Sequence, residues 1–305
     1  MKKNDSIDHF IDNSAYLYPV YICEQLKKAG SHKLIQGIME ISGKELSEAV
    51  LILVSVIKYT FPGKNAFARL EETDSFQQYI DDNQDLIVDL ACRKKVQGNL
   101  PERALPLLEV LHRELQVGSL GIVELGASFG LIGRCLLDPS RVIRDEAIYF
   151  TPIQQIPERI KPIDAYLGIE YDPPDRKWIL ASVWDEDMED RLRHFIDDIR
   201  PDYRFELIKG NAFGFSQLKA VRDLVDDVDF IVVLTSFMLY QFDEAQQRAL
   251  RSEIRRFTRE VKGHWLDQAV KVSMNDTAHE YSISFNGKRV IDLADDACSS
   301  WRWLR

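Results

Sequence analysis

The stretch Leu120-Gly121-Ile122-Val123-Glu124-Leu125, followed at once by Gly126-Ala127-Ser128-Phe129-Gly130 and a helical pattern, constrains this chain more than any other. A short apolar run reads as a buried strand, and the glycines allow a tight turn into the next helix. The order downstream agrees. Residues 165–170, 205–209 and 230–234 read as further strands, the last a continuous apolar run of the kind buried on both faces. Helical patterns occupy 188–199, 216–224 and 243–261. Strand and helix in alternation imply a parallel sheet with crossover helices. The chain closes differently: 281–285, then Asn286-Gly287, then 288–293 signal a hairpin with a type I′ turn. The expected fold class is α/β: a Rossmann-like sheet of the class I methyltransferase arrangement, mostly parallel with a C-terminal antiparallel hairpin.

Residues 1–116 carry a different pattern. Leu26, Leu34, Ile35, Ile38 and Met39 recur at helical spacing, and 48–59 is apolar almost all round, as in a buried helix. Phe76, Ile80, Ile87, Leu90 and Ala91 share one face of a helix over 74–95. Pro101 or Pro106 suits a first helical turn ahead of Leu108, Leu111 and Leu115. The expected organisation is an all-helical N-terminal domain, 1–116, and a Rossmann domain, 117–305.

Composition narrows the function classes. A formal net charge of -10 argues against non-specific nucleic-acid binding, which needs basic surface. The longest apolar run, 49–57, is too short to span a bilayer, and the first residues are polar, with no signal-peptide pattern. Cys23, Cys92, Cys135 and Cys298 lie far apart, and no two histidines are four residues apart, so free cytoplasmic thiols and no metal site are expected. Arg248, Arg251, Arg255, Arg259 and Lys262 recur every three or four residues, a stripe that reads as a solvated helix face.

The glycine loop carries the chemistry. Gly126 and Gly130 permit close backbone approach to a ligand, and amides opening a helix suit a carboxylate or phosphate. Glu124, two residues before the first glycine, fits a cationic amine. S-adenosylmethionine (SAM) carries both an amine and a carboxylate; a dinucleotide fingerprint fits less well, because Ser128 and Leu131 stand where its second and third glycines belong. Glu170 ends the second strand, where an acid accepts hydrogen bonds from ribose hydroxyls. Such a carboxylate at an exposed strand end is expected to support no core. Asn211 and Ala212 follow the third strand, where a polar group and an apolar neighbour suit adenine. Ser128 also completes G-x-S-x-G, the nucleophile elbow of a serine hydrolase, which needs a downstream acid and a histidine from His194, His264 and His279. The helical character of the preceding residues weighs against that reading.

At this point the sequence resembles a known family. Residues 121–131, Gly168-Ile169-Glu170-Tyr171-Asp172-Pro173 and the stretch 175–184, with Arg176, Trp178 and Val183-Trp184, resemble the bacterial family catalogued as domain of unknown function 2332. The resemblance extends to 93–103, to 209–212 and to Trp301 and Trp303. It implies a SAM methyltransferase-like Rossmann domain. It also suggests that Arg93, Gln97, Asn99 and Arg103 close over the pocket from the substrate side. Three positions depart from the family: Thr235-Ser236 stands where a histidine usually precedes the serine, Cys298-Ser299-Ser300 replaces a His-Gly pair, and Asn99-Leu100 replaces Asn-Glu. Thr235, Ser236 and Tyr240, after the fourth strand, are the acceptor-side catalytic candidates. The expected function is SAM-dependent methyl transfer to a small-molecule acceptor. The alternatives are a non-catalytic SAM- or nucleotide-binding protein and, third, the hydrolase.

Overall fold

The computed structural model describes residues 11, 17–28, 30, 33–60, 73–95, 100–115, 118–140, 163–183, 186–197, 204–272, 279–295 and 298–304. The chain divides into two compact units, Met1–Asn99 with Asp175–Asp190 and Leu100–Pro174 with Arg191–Arg305.

The first unit is helical among its described residues. It contains α1 (Leu17–Lys28), α2 (Lys33–Ser42), α3 (Leu46–Thr60) and α4 (Thr73–Arg93). In α3, Ala49, Val50 and every residue from Ile52 to Ile57 are buried, which is why this helix is apolar almost all round. Phe76, Ile80, Ile87 and Ala91 of α4 and Leu34, Ile35 and Ile38 of α2 face the same core. That core is completed by Trp178 of a much later helix, α7 (Arg176–Ala181). The Trp178 indole is fully buried, donates to the Lys95 carbonyl at 3.1 Å and meets the Tyr59 ring edge-on at 5.5 Å. Asp175 caps α7 through the Trp178 amide and accepts the Tyr59 hydroxyl at 2.9 Å. Lys58, nearly buried, pairs with Glu189 at 2.7 Å. Trp178, within the stretch that carries the resemblance, is therefore a structural part of the helical core.

The second unit is α/β. Parallel strands β1 (Leu120–Leu125), β2 (Ala165–Glu170), β3 (Arg204–Lys209), β4 (Phe230–Ser236) and β5 (His264–Val272) lie in the order β3-β2-β1-β4-β5. Beyond β5 the sheet continues antiparallel through β6 (His279–Phe285), β7 (Lys288–Leu293) and β8 (Trp301–Trp303). The Asn286-Gly287 turn has positive φ at both residues, 52° and 82°, as a type I′ turn requires. Two strands, β5 and β8, were not legible as strands. In β5 the polar pair Asp267-Gln268 interrupts the apolar pattern, and β8 has only three residues.

One face of the sheet, bearing Val123, Leu125, Ile169 and Val233, packs against Val221 of α9 (Lys219–Asp227) and Leu250, Ile254 and Phe257 of α10 (Glu244–Glu260). The opposite face carries α5 (Ala104–Glu114) and α6 (Leu131–Leu137). A 3₁₀ turn, Pro101–Arg103, runs directly into α5 and packs on α6. Glu109 of α5 accepts the indole N–H of both Trp301 and Trp303, at 2.5 and 2.7 Å, and so ties the last strand to a helix. On α10, Arg251 pairs with Asp267 at 3.4 Å and, with Arg255, lies over the Trp265 ring, while Arg248 pairs with Glu244.

Candidate functional site

The strand order reverses between β1 and β4, and ligands of open α/β sheets bind outside the carboxyl ends at such a switch point. The register makes that edge specific. Leu125, Ile169, Ile208, Thr235 and Asp267 lie at one level across the sheet. One residue further, Glu170 stands beside Lys209 and Ser236 beside Gln268. Side chains alternate along a strand, so Glu170, Ser236 and Gln268 turn to the face of α6, opposite Leu125 and Ile169.

The glycine loop joins β1 to α6 with left-handed backbone at Gly126 (φ 73°), Ser128 (φ 52°) and Gly130 (φ 72°). The Gly126 and Ala127 amides both donate to the Ile169 carbonyl, at 2.9 and 3.3 Å. The room each glycine leaves is filled by protein rather than held open: a Cβ on Gly126 would lie 2.6 Å from the Met238 sulfur, and one on Gly130 2.7 Å from the Phe205 ring. The glycines serve the turn and its packing, where the sequence suggested approach to a ligand.

Glu124 is 2% exposed and accepts the Tyr166 hydroxyl at 2.5 Å. Burial pushes its carboxyl up to about 8; the Tyr166 bond opposes the shift, and the charge of Glu170 adds to it. The sequence placed this acid against a ligand amine; the structure places it beneath the loop, already engaged. Tyr166 stacks on Phe205 at 5.3 Å and fills the space beside Gly133 of α6, where a Cβ would clash with its ring. Glu170 is half-buried; one oxygen accepts the Ser128 amide at 2.8 Å and the other the Tyr171 amide at 2.9 Å. It braces the strained loop rather than the core.

Asn211 is exposed and accepts the Phe213 amide at 2.9 Å, closing its own turn, while Ala212 packs against the core of the α9 and α10 face. The acceptor-side candidates separate. Thr235 is fully buried, donates to Asp267 at 2.7 Å and accepts the Trp265 indole N–H at 3.1 Å. Tyr240 is 57% exposed. Ser236 donates to the Gln268 side-chain oxygen at 2.7 Å. The Gln268 amide nitrogen in turn donates to the Cys298 sulfur at 3.0 Å and the Arg103 carbonyl at 3.4 Å. Cys298, one of the positions that depart from the resembled family, thus meets Ser236 on one glutamine. The Arg103 guanidinium lies 4.7 Å from the centre of the Phe237 ring. Arg93 is ion-paired with Asp89 on its own helix; Gln97 and Asn99, like the proline-rich insertion 141–162, lie outside the described residues.

Sequence reasoning missed Gln268, Asp267, Cys298, Tyr166 and Glu102. A signal was present for Asp267 and Gln268, because two adjacent polar residues inside an apolar run need partners. Of the histidines open to a hydrolase, His264 begins β5 at the opposite edge of the sheet and stacks on Phe285, and His194 is exposed on α8 (Glu186–Asp197). The His279 side chain is outside the described residues. Two surface hollows lie away from the glycine loop. One of about 500 Å³ lies between β2, β3 and α9; the other, of about 660 Å³, lies along the arginines of α10. Among the described residues, no helix is long and apolar enough to cross a membrane.

No protein-family model matches the chain, and no curated protein matches it either.

Proposed function

We propose that this chain is a SAM-dependent methyltransferase acting on a small-molecule acceptor, related to the family it resembles. The observation that carries the reading is the carboxyl edge at the switch point. There the left-handed loop 126–130, Glu170, Asn211 and Ser236 stand at the ends of β1, β2, β3 and β4 in the order that a nucleoside-bearing ligand requires. Glu170 fits the ribose. Each of its oxygens accepts one backbone amide, and an ionised carboxylate has about four acceptor sites, so capacity remains for two hydroxyls. Asn211 and Ala212 suit the adenine edge and face. When bound, SAM supplies an electrophilic methyl group on a sulfonium. The chain's own part is positioning, which contributes much of the catalysis when two reactants are held in line. Ser236, whose proton is committed to Gln268, presents lone pairs that orient an N–H or O–H of the acceptor. Isothermal titration with SAM and with S-adenosylhomocysteine tests the reading; micromolar binding is expected, and absence of heat and of thermal stabilisation at millimolar ligand overturns it.

A second reading, ligand binding without chemistry, has one observation behind it. Thr235, where the resembled family usually has a histidine, is buried and fully hydrogen-bonded, so it offers no base. Binding of SAM with no methyl transfer to any acceptor in a panel of amines, phenols and carboxylates would favour it.

A further inference from the structure

Among the described residues of the sheet unit, Glu102 is a charged side chain with little structural reason to be there. It sits in the 3₁₀ turn Pro101–Arg103, is 1% exposed, and neither carboxylate oxygen has a hydrogen-bond partner on another residue. A buried carboxylate without partners is among the costlier arrangements in a folded chain, and an apolar residue of similar volume would fill the space without that penalty. Burial pushes its carboxyl up to about 8, and the opposing pull of its own amide and of Arg103 is weaker. At neutral pH it therefore stands mostly protonated.

Its place in the fold is defined. The turn packs on α6, the helix that the glycine loop opens. The next residue, Arg103, is tied by its carbonyl to Gln268 on β5 and by its guanidinium to Phe237 just after β4. Glu102 thus belongs to a turn fastened to the carboxyl edge, on the face that carries Ser236 and Gln268. Glu124, the acid the sequence assigned to a ligand amine, is buried beneath the loop with one oxygen on the Tyr166 hydroxyl. A protonated amine brings three N–H donors and a positive charge, which is what two unpartnered carboxylate oxygens lack.

We infer that Glu102 is a ligand-binding residue that receives the protonated amine of the cofactor at this edge. The inference rests on the SAM reading and adds the residue that recognises the amino-acid end. As the ammonium arrives, the carboxylic acid loses its proton to solvent and the two charges pair in a desolvated site.

The test compares S-adenosylhomocysteine with 5′-methylthioadenosine, a nucleoside thioether without the amino-acid end, by titration calorimetry at pH 7 in two buffers of different ionisation enthalpy. The native chain is expected to prefer the first ligand at least about tenfold, since a desolvated charge pair is strong, and to release most of one proton on binding it. Glu102→Gln is expected to lose that preference and the proton release while keeping its affinity for 5′-methylthioadenosine. Proton release by the native chain needs no variant, so a misfolded Glu102→Gln does not shelter the idea. If S-adenosylhomocysteine binds without proton release, or Glu102→Gln keeps the preference or loses both ligands alike, the assignment is overturned and the SAM reading stands. If neither nucleoside binds, both fall.

Discussion

The two flanks of the switch point are made of similar residues and behave differently. On the β1–β2 flank, Glu124 and Glu170 are carboxylates close enough to influence each other, and the loop between them holds three left-handed residues. On the β4–β5 flank, Thr235 with Asp267 and Ser236 with Gln268 are cross-strand pairs whose polar groups bond to one another, to Trp265 and to Cys298. The first flank carries left-handed backbone and a buried carboxyl beneath it. The second is neutral or paired and serves as a fixed wall. The lesson is that a polar strand end is not by itself a functional one; what matters is whether its hydrogen bonds are already made.

Breaking the wall should have the largest effect on folding. Thr235→Val removes one group that serves two buried partners, leaving the Trp265 N–H and one oxygen of Asp267, whose other oxygen stays on Arg251, unmatched. A loss of about 2–4 kcal/mol is expected in urea unfolding, with ligand affinity unchanged under conditions where the variant is folded. A loss below about 0.5 kcal/mol would show the pair to be ornamental.

Protonation should distinguish the flanks next. Glu124 and Glu102, both raised to about 8 by burial, hold protons in the folded chain that they lose on unfolding. A raised carboxyl stabilises below its unfolded value, and the contribution is lost as pH rises through the folded one. His264, lowered by burial, acts oppositely, but only below about pH 6.5. Between pH 6.5 and 8, stability of the ligand-free chain should therefore fall as pH rises, by at most about 1.4 kcal/mol per pH unit for each carboxyl. The double variant Glu102→Gln/Glu124→Gln should flatten the profile; an unchanged slope would contradict the burial of both.

Glu170→Ala probes the strained flank. Loss of the acceptor for the Ser128 amide should lower stability by about 1–2 kcal/mol, and loss of the ribose contacts should weaken SAM binding at least about tenfold. A melting temperature unchanged from the native chain would mean that the loop holds its shape without this brace. Tyr240→Ala should show the smallest effect. The side chain is 57% exposed, and a change within about 0.5 kcal/mol is expected, with affinity for S-adenosylhomocysteine retained.

The sequence made the first flank legible and the second obscure, for a physical reason. Strands β1, β2 and β4 are buried on both faces, so their apolar runs announce them, while β3 alternates at the sheet edge, and Gly126 and Gly130 mark the turn. Strand β5 hides because Asp267 and Gln268 are polar, and their compatibility with a buried strand depends on Thr235, Ser236 and Cys298, 30 or more residues away. Tyr166 reads as one more apolar strand residue until its hydroxyl is found on Glu124. Glu102, between Pro101 and Arg103, resembles an ordinary solvated first-turn acid, and only its burial marks it out.

Trp178 has a consequence for the order in which the chain assembles during synthesis. The helices α1 to α4 emerge from the ribosome first, and domains generally fold as units in the order they are made. Here the amino-terminal unit is still missing its central indole when α4 is complete, because Trp178 is made only after β1 and β2. The nascent helices must wait, with the core that Trp178 joins still incomplete, while the first two strands of the other unit are already out. A chaperone that binds exposed apolar surface would meet this core during that interval.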